Sequence, residues 1–158
     1  MIEAFRHVKK SRPSAHLLIV GANVRVNEPG VEVVEPVRDK ATLIEMYRRA
    51  NVFVLPAIYD PMPHAAMEAM SLEAPVVVTT ECGTSEIIED GKSGFVVPPG
   101  NSEVLADRLI SLLDDPQLAM KMGQTGAGIL RTQYTWELVS MRIHQIVQEI
   151  LKERQAGD

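Results

Sequence analysis

Apolar residues along this chain recur at two spacings in turn, and the alternation predicts helix and strand one after the other. Ile2, Phe5 and Val8 stand at helical spacing and are closed off by "SRP", so residues 2–10 are predicted to form a helix. The short apolar run "HLLIVG" ends in glycine and suits a buried strand. "VEVVEPV" gives a second strand, "DKATLIEMYRRA" a helix with Asp39 placed as its N-cap, and "NVFVLP" a third strand stopped by Pro56. Pro63 fits a first helical turn, where its missing N–H costs nothing, and the next helix is expected from about Pro63 to Leu72. Then come the strand "PVVVTT", the helical turn "TSEIIEDG" and a fifth strand, "GFVVPPG". Asn101 and Ser102 start the helix "SEVLADRLISLLDD", a further helical segment runs from about Gln117, and Thr135 caps a last one. In that last helix Leu138, Val139, Ile143, Ile146, Val147 and Ile150 follow the 3.6-residue period, Arg142 excepted, so it is expected to pack one face.

Strands that are apolar throughout and separated by helices imply a parallel sheet covered on both faces. The expected class is therefore α/β, a doubly wound, Rossmann-like parallel sheet of about five strands. With 158 residues, 46% of them hydrophobic, and no repeat or low-complexity linker, the chain reads as a single domain over residues 1–158. Ligands of such folds bind outside the carboxyl ends of the strands, here the loops after Val20, Leu55 and Thr79.

The loop after Leu55 carries the candidate chemistry, in "AIYDPMPHAAMEAM". Asp60 precedes the expected helix and Glu68 lies inside it. His64 and Glu68, four residues apart, share a face that leans towards the helix N-terminus. The small Ala65 and Ala66 leave the amides of the first turn accessible, and a helix N-terminus with free N–H groups attracts a phosphate or another anion. Asp60 and Glu68 could accept hydrogen bonds from sugar and ribose hydroxyls on either side of that anion. The rival reading is structural: Glu68 in a hydrogen-bond network or reaching solvent, Asp60 stabilising a turn, and His64 on a helix surface.

Charge and composition exclude several other classes. Sixteen basic and twenty-one acidic residues leave a net charge of -5, with no Lys/Arg stripe to track a duplex, so nucleic-acid binding is disfavoured. "VFVLPAI" and "APVVV" fall far short of the roughly 20 residues of a membrane span, so no transmembrane segment is expected. "MIEAFRHVKK" lacks a signal-peptide core, and the expected location is cytoplasmic. Cys82, the single cysteine, has no partner for an internal disulfide and no ligand cluster around it, and reads as a reduced small residue.

From "LLIVG" through "VFVLPAIYDPMPHAAMEAMSLEAPVVVTTECGTSEIIEDGKSGFVVPPGNSEVLADRLISLLDD" to "YTWE", the chain resembles the carboxyl-terminal half of the retaining glycosyltransferases of family 4, which have the GT-B architecture. The most specific part is an acid, seven residues, then Glu-Ala-Met, followed by Pro-Val-Val, a Gly-X-X-Glu-Ile loop, Asp-Gly and Gly-Phe-Val-Val-Pro. The resemblance implies a nucleotide-diphosphate sugar as donor. It places Asp60 on the transferred sugar, as the catalytic position, and Glu68 on the ribose. The backbone amides of Met62, His64 and Ala65 would face the diphosphate and sugar, and Gly83 matches the second glycine of the loop after the fourth strand. No Asp-X-Asp motif appears, and the resemblance implies neither a metal nor another cofactor.

The chain departs from that pattern in several places. Asp60 stands where the family usually has Glu, Met62 and Pro63 replace a common Phe-Gly pair, Glu73 replaces a glycine at a helix end, and Cys82 replaces the first loop glycine. The family's first, central strand and the following loop, whose Arg and Lys bind the diphosphate, precede anything in this sequence. Arg6, Lys9 and Lys10 lie on the next helix and cannot stand in for that pair. The resemblance therefore implies an amino-terminally truncated donor-binding domain, inactive alone and completed by an amino-terminal acceptor domain or a complementary chain. Its absent strand would leave "HLLIVG" and "VFVLP" as neighbours, with a gap or a non-standard pairing between them. Two rival functions stay open: a non-catalytic docking or nucleotide-binding subunit, and a GT-B epimerase or phosphorylase.

Overall fold

The structure, a computed structural model, describes residues 1–156. Its elements follow in order: α1 (Ile2–Ser11), β1 (Leu17–Val20), β2 (Val31–Val34), α2 (Lys40–Arg49), β3 (Phe53–Leu55), α3 (His64–Ser71), β4 (Val76–Thr79), a 3₁₀ turn (Gly83–Glu86), β5 (Phe95–Val97), α4 (Ser102–Asp114), α5 (Pro116–Gln133) and α6 (Trp136–Ala156). Side-chain caps set several of the boundaries. Asp39 accepts from the Thr42 amide at 2.8 Å, Asn101 from the Val104 amide at 3.1 Å, and Asp115 from the amides of Gln117 and Leu118, each at 3.0 Å. Pro116 then opens α5 at a position that needs no amide. Asp114 beside it is tied to Arg12 by an ion pair, so the "DD" at this helix end is structural.

Every strand pairs parallel, as expected, but the five strands form two ladders. β1 pairs with β2, Leu17 opposite Val31, while β3, β4 and β5 run side by side, Val54 opposite Val77 and Val77 opposite Phe95. Among the described residues no ladder joins β1 to β3, so of the two arrangements left open between "HLLIVG" and "VFVLP", a gap or a non-standard pairing, the gap is found. The Leu17 and Gly21 amides bond to Gly30 and Val34, so the backbone groups of Leu18 and Val20 point to the unpaired edge.

Two apolar clusters cover the strands. On one face Leu17, Val31, Val54, Val77 and Phe95 meet α1 through Ala4, Phe5 and Val8, and α4 through Leu105, Leu109 and Leu112. On the other, Phe53, Leu55, Val76 and Val78 meet Tyr47 of α2, Ala66, Ala69 and Met70 of α3, and Leu130 of α5. The valines of β4 are fully buried, each contributing about 1.5–3 kcal/mol relative to exposure, which makes β4 the spine of the larger ladder. Burial on both faces was expected for every strand, yet β1 alternates between half-buried and exposed residues and β3 is half-buried throughout. β2 likewise has no buried residue, and of the three β1 and β3 border the gap, each lacking a neighbour on that side.

The last helix forms where its periodicity predicts, but it does not pack a face on the rest of the fold. From Ser140 through Arg154 every residue is exposed, and Trp136 at the helix start is 87% exposed. The period of Val139, Ile143, Ile146 and Ile150 specifies an apolar stripe without specifying what covers it. Among the described residues no helix is long and apolar enough to cross a membrane.

Candidate functional site

The carboxyl ends of β3 and β4 lie side by side, and the two loops that leave them are bonded together. Thr79, the last residue of β4, is buried and donates its hydroxyl to the Ala57 carbonyl at 2.6 Å, across to the loop after β3. Cys82 is buried beside it, its Sγ 3.3 Å from Thr79 Oγ1 and 3.8 Å from the Leu55 carbonyl. Further out the backbones meet: the Asp60 amide donates to Glu81 at 3.1 Å and the Gly83 amide to the Asp60 carbonyl at 2.9 Å, a one-rung parallel bridge. Gly83 is required there, because a Cβ would run into the Pro61 carbonyl oxygen. Cys82 and Gly83 thus fasten one loop to the other.

Asp60 comes out of this bridge half-buried, its Oδ1 accepting from the Met62 amide at 3.2 Å. That bond makes Asp60 the stabiliser of its own turn and occupies one of the three amides expected to face an anion. Pro63, expected in the first turn, is instead the N-cap of α3, which starts one residue later at His64, and its carbonyl accepts from Ala66 at 3.1 Å. The amides of His64 and Ala65 carry no internal bond among the described residues, and the His64 side chain is exposed. The helix N-terminus expected to present free donors does so at these two residues.

Glu68 sits one turn further along α3 on the exposed side, and its Oε2 accepts from the Tyr47 hydroxyl at 3.1 Å. Tyr47 is a residue that the sequence reading passed over. Its ring is buried against Phe53, centroids 5.7 Å apart at 63°, and its phenol is pushed up to about 12, by burial first, then by the hydrogen bond to Glu68 and that group's charge. Nothing local in "DKATLIEMYRRA" reveals what the Tyr47 hydroxyl meets, since its partner lies on another helix.

At its far end α3 stops in a Schellman turn: the Glu73 amide donates to Met70 at 3.0 Å and the Ala74 amide to Ala69 at 3.1 Å. Glu73 holds φ +64°, the left-handed conformation that glycine would take, so the cap is the one glycine would form despite the substitution. Its carboxylate pairs with Arg131 of α5 at 2.8 Å. Around the acids the surface is open and apolar: Ile58 and Tyr59 are 83% and 74% exposed and Met62 is exposed too. Among the described residues no three His, Cys, Asp or Glu side chains stand close enough together to hold a metal ion.

The chain is matched by the family pattern described as Glycosyl transferases group 1 over residues 1–128. The chain belongs to this family. It is 24% identical to the capsular polysaccharide biosynthesis glycosyltransferase CapM of Staphylococcus aureus over 165 residues, covering 97% of this chain and 43% of that protein. It is 36% identical to the sucrose synthase of Denitrovibrio acetiphilus over 107 residues, covering 63% of this chain and 14% of the synthase. The chain therefore spans less than half the length of these relatives. Among solved structures, the sucrose-phosphate synthase of Thermosynechococcus elongatus superposes with a TM-score of 0.77 at 25% identity, covering 96% of this chain and 42% of that one. The fold is thus similar to that of the GT-B glycosyltransferases. In this glycosyltransferase family member the two parallel ladders and their helices correspond to part of a longer polypeptide's fold.

Proposed function

We propose that this chain is the donor-binding half of a retaining, family 4 type glycosyltransferase, which moves a sugar from a nucleotide-diphosphate sugar to an acceptor. The observation that carries the reading is the bridge that pairs Asp60 with Cys82 through the Gly83 and Asp60 amides. It ties down the loop whose Asp60 carboxylate accepts from Met62, just ahead in the chain of the free amides of His64 and Ala65, with Glu68 one turn beyond on the same helix. In this reading Asp60 meets the transferred sugar, the two amides and the positive end of α3 meet the diphosphate, and Glu68 accepts from the ribose. The acceptor is held by a part of the enzyme outside this chain. Catalysis rests on orientation and on stabilising charge at the leaving diphosphate. The 158-residue chain alone is inactive in this reading, which assigns the acceptor wall and the cations at the diphosphate to another part of the enzyme.

The experiment is calorimetric titration of the chain with UDP-, ADP- and GDP-sugars, repeated with Glu68→Gln. The variant is expected to lose about 1.5–3 kcal/mol of nucleotide affinity, the scale of a hydrogen bond to a charged acceptor, with its melting temperature unchanged. Equal affinity for the two proteins would remove Glu68 from the ribose position.

A further inference from the structure

We infer that Tyr47 is a positioning residue for Glu68, holding one oxygen of its carboxylate so that the remainder faces a pair of vicinal hydroxyls. The inference rests on the reading of Glu68 given above and extends it to a residue on a different helix. Glu68 is on the exposed side of α3, where a carboxylate on three rotatable bonds would sample many positions. Among the described residues its carboxylate has a single partner, the Tyr47 hydroxyl at 3.1 Å on Oε2. That hydroxyl is itself fixed: the ring is 9% exposed, lies edge-on to Phe53 of β3 and belongs to the cluster that contains Ala66 and Met70 of α3. The donor is thus anchored in the same core that anchors the helix carrying its acceptor.

The type of donor matters as much as its place. A Lys or Arg at this point would neutralise the carboxylate and compete with an incoming ligand, whereas a phenol donates one hydrogen bond and leaves the charge in place. An ionised carboxylate has about four acceptor positions, so one bond from Tyr47 leaves enough for two ligand hydroxyls. The raised phenol keeps its proton throughout the ordinary pH range and remains a donor. Removing the hydroxyl frees Glu68 to wander, and the ligand then bears the cost of ordering it, an effect of about threefold to tenfold on affinity.

The test is a double-mutant cycle on the 158-residue chain with Tyr47→Phe, Glu68→Gln and the double variant. Each is titrated with UDP, ADP and GDP and with their 2′-deoxy counterparts. Tyr47→Phe keeps the ring and its packing, and a matching melting curve checks that the fold is intact. The expected result is a threefold to tenfold weaker ribonucleotide affinity for Tyr47→Phe, a smaller effect on the 2′-deoxy ligand, and no further loss when Glu68→Gln is already present. The ligand-free protein gives a separate readout. The Tyr47 phenol, followed by its ultraviolet absorbance against the Tyr47→Phe blank, should titrate at lower pH in Glu68→Gln than in the unaltered chain. If Glu68→Gln weakens binding but Tyr47→Phe does not, or weakens it equally in both backgrounds, the positioning role is overturned while the ribose reading stands. If Glu68→Gln has no effect, or no nucleotide binds, the ribose reading falls and takes this role with it. An unmoved phenol titration overturns the hydrogen bond itself.

Discussion

The amide of Gly83 donates to the carbonyl of Asp60 at 2.9 Å, so the turn after β4 and the acid after β3 move as one piece. The contact is so close that a methyl group on Gly83 would overlap the Pro61 carbonyl oxygen and lie 2.9 Å from its carbon. Gly83→Ala is expected to cost about 1–3 kcal/mol of stability, the scale of an overpacked contact, and to displace Asp60 with it. Urea unfolding and nucleotide-sugar titration of the same variant check both effects. Full stability with full affinity would mean that the bridge does not form.

Asp60→Asn keeps an oxygen for the Met62 amide and removes only the charge, so the turn should survive. Affinity for a nucleotide sugar is expected to fall by about 1.5–3 kcal/mol, and affinity for the free nucleotide by much less. Calorimetry with UDP-glucose beside UDP, and likewise for the ADP and GDP pairs, measures the difference. Identical losses for sugar-bearing and sugar-free ligands would take Asp60 off the sugar.

Glu73 occupies a left-handed conformation in which a side chain costs roughly 1–2 kcal/mol, partly offset by an exposed ion pair with Arg131 worth about 0–1 kcal/mol. Glu73→Gly should therefore be as stable as the natural chain or more so, and Glu73→Ala, which loses the pair and keeps the strain, less stable. A gap of about 1 kcal/mol between glycine and alanine is expected from denaturant midpoints. The reverse order would show that φ +64° is not costly at this position.

Tyr47 predicts an alkaline weakness of known sign. Its phenol rises in the folded chain from 10.0 to about 12, chiefly through burial and then through Glu68. The folded state therefore holds its proton more tightly than the unfolded state does. The associated stability is fully present below pH 10 and is lost as pH climbs from 10 to about 12. The stability difference between the natural chain and Tyr47→Phe should shrink over that interval and be constant below it. Unfolding midpoints collected at pH 8 to 12 test this, and a difference independent of pH would contradict it.

Much of the fold was legible from local pattern because the local chemistry decides it. Asp39 and Asn101 announce two helix starts by capping them, and "PVVVTT" announces a fully buried strand through an unbroken apolar run. The break between β1 and β3 was one of two arrangements that the resemblance left open. Tyr47 and Glu68 were not legible as a pair, since 21 residues separate them and only the packing of α2 beside α3 brings them together. The stripe on α6 was legible as a pattern but not as a contact, because periodicity describes one surface and packing needs two. Asp60 stabilises its own turn, the structural one of its two readings.

The break between the ladders also sorts the chain by how it opens. No hydrogen bond passes from Leu17–Val20 to Phe53–Leu55, so β1 and β2 can part from the rest without disturbing a rung of β3, β4 or β5. In heavy water the amides of Leu18 and Val20, which face no strand, are expected to take up deuterium before the β1–β2 rungs, and those rungs to follow through a partial unfolding. Those of Val76–Thr79, flanked by ladders on both sides and sealed in the core, wait for the whole molecule to unfold.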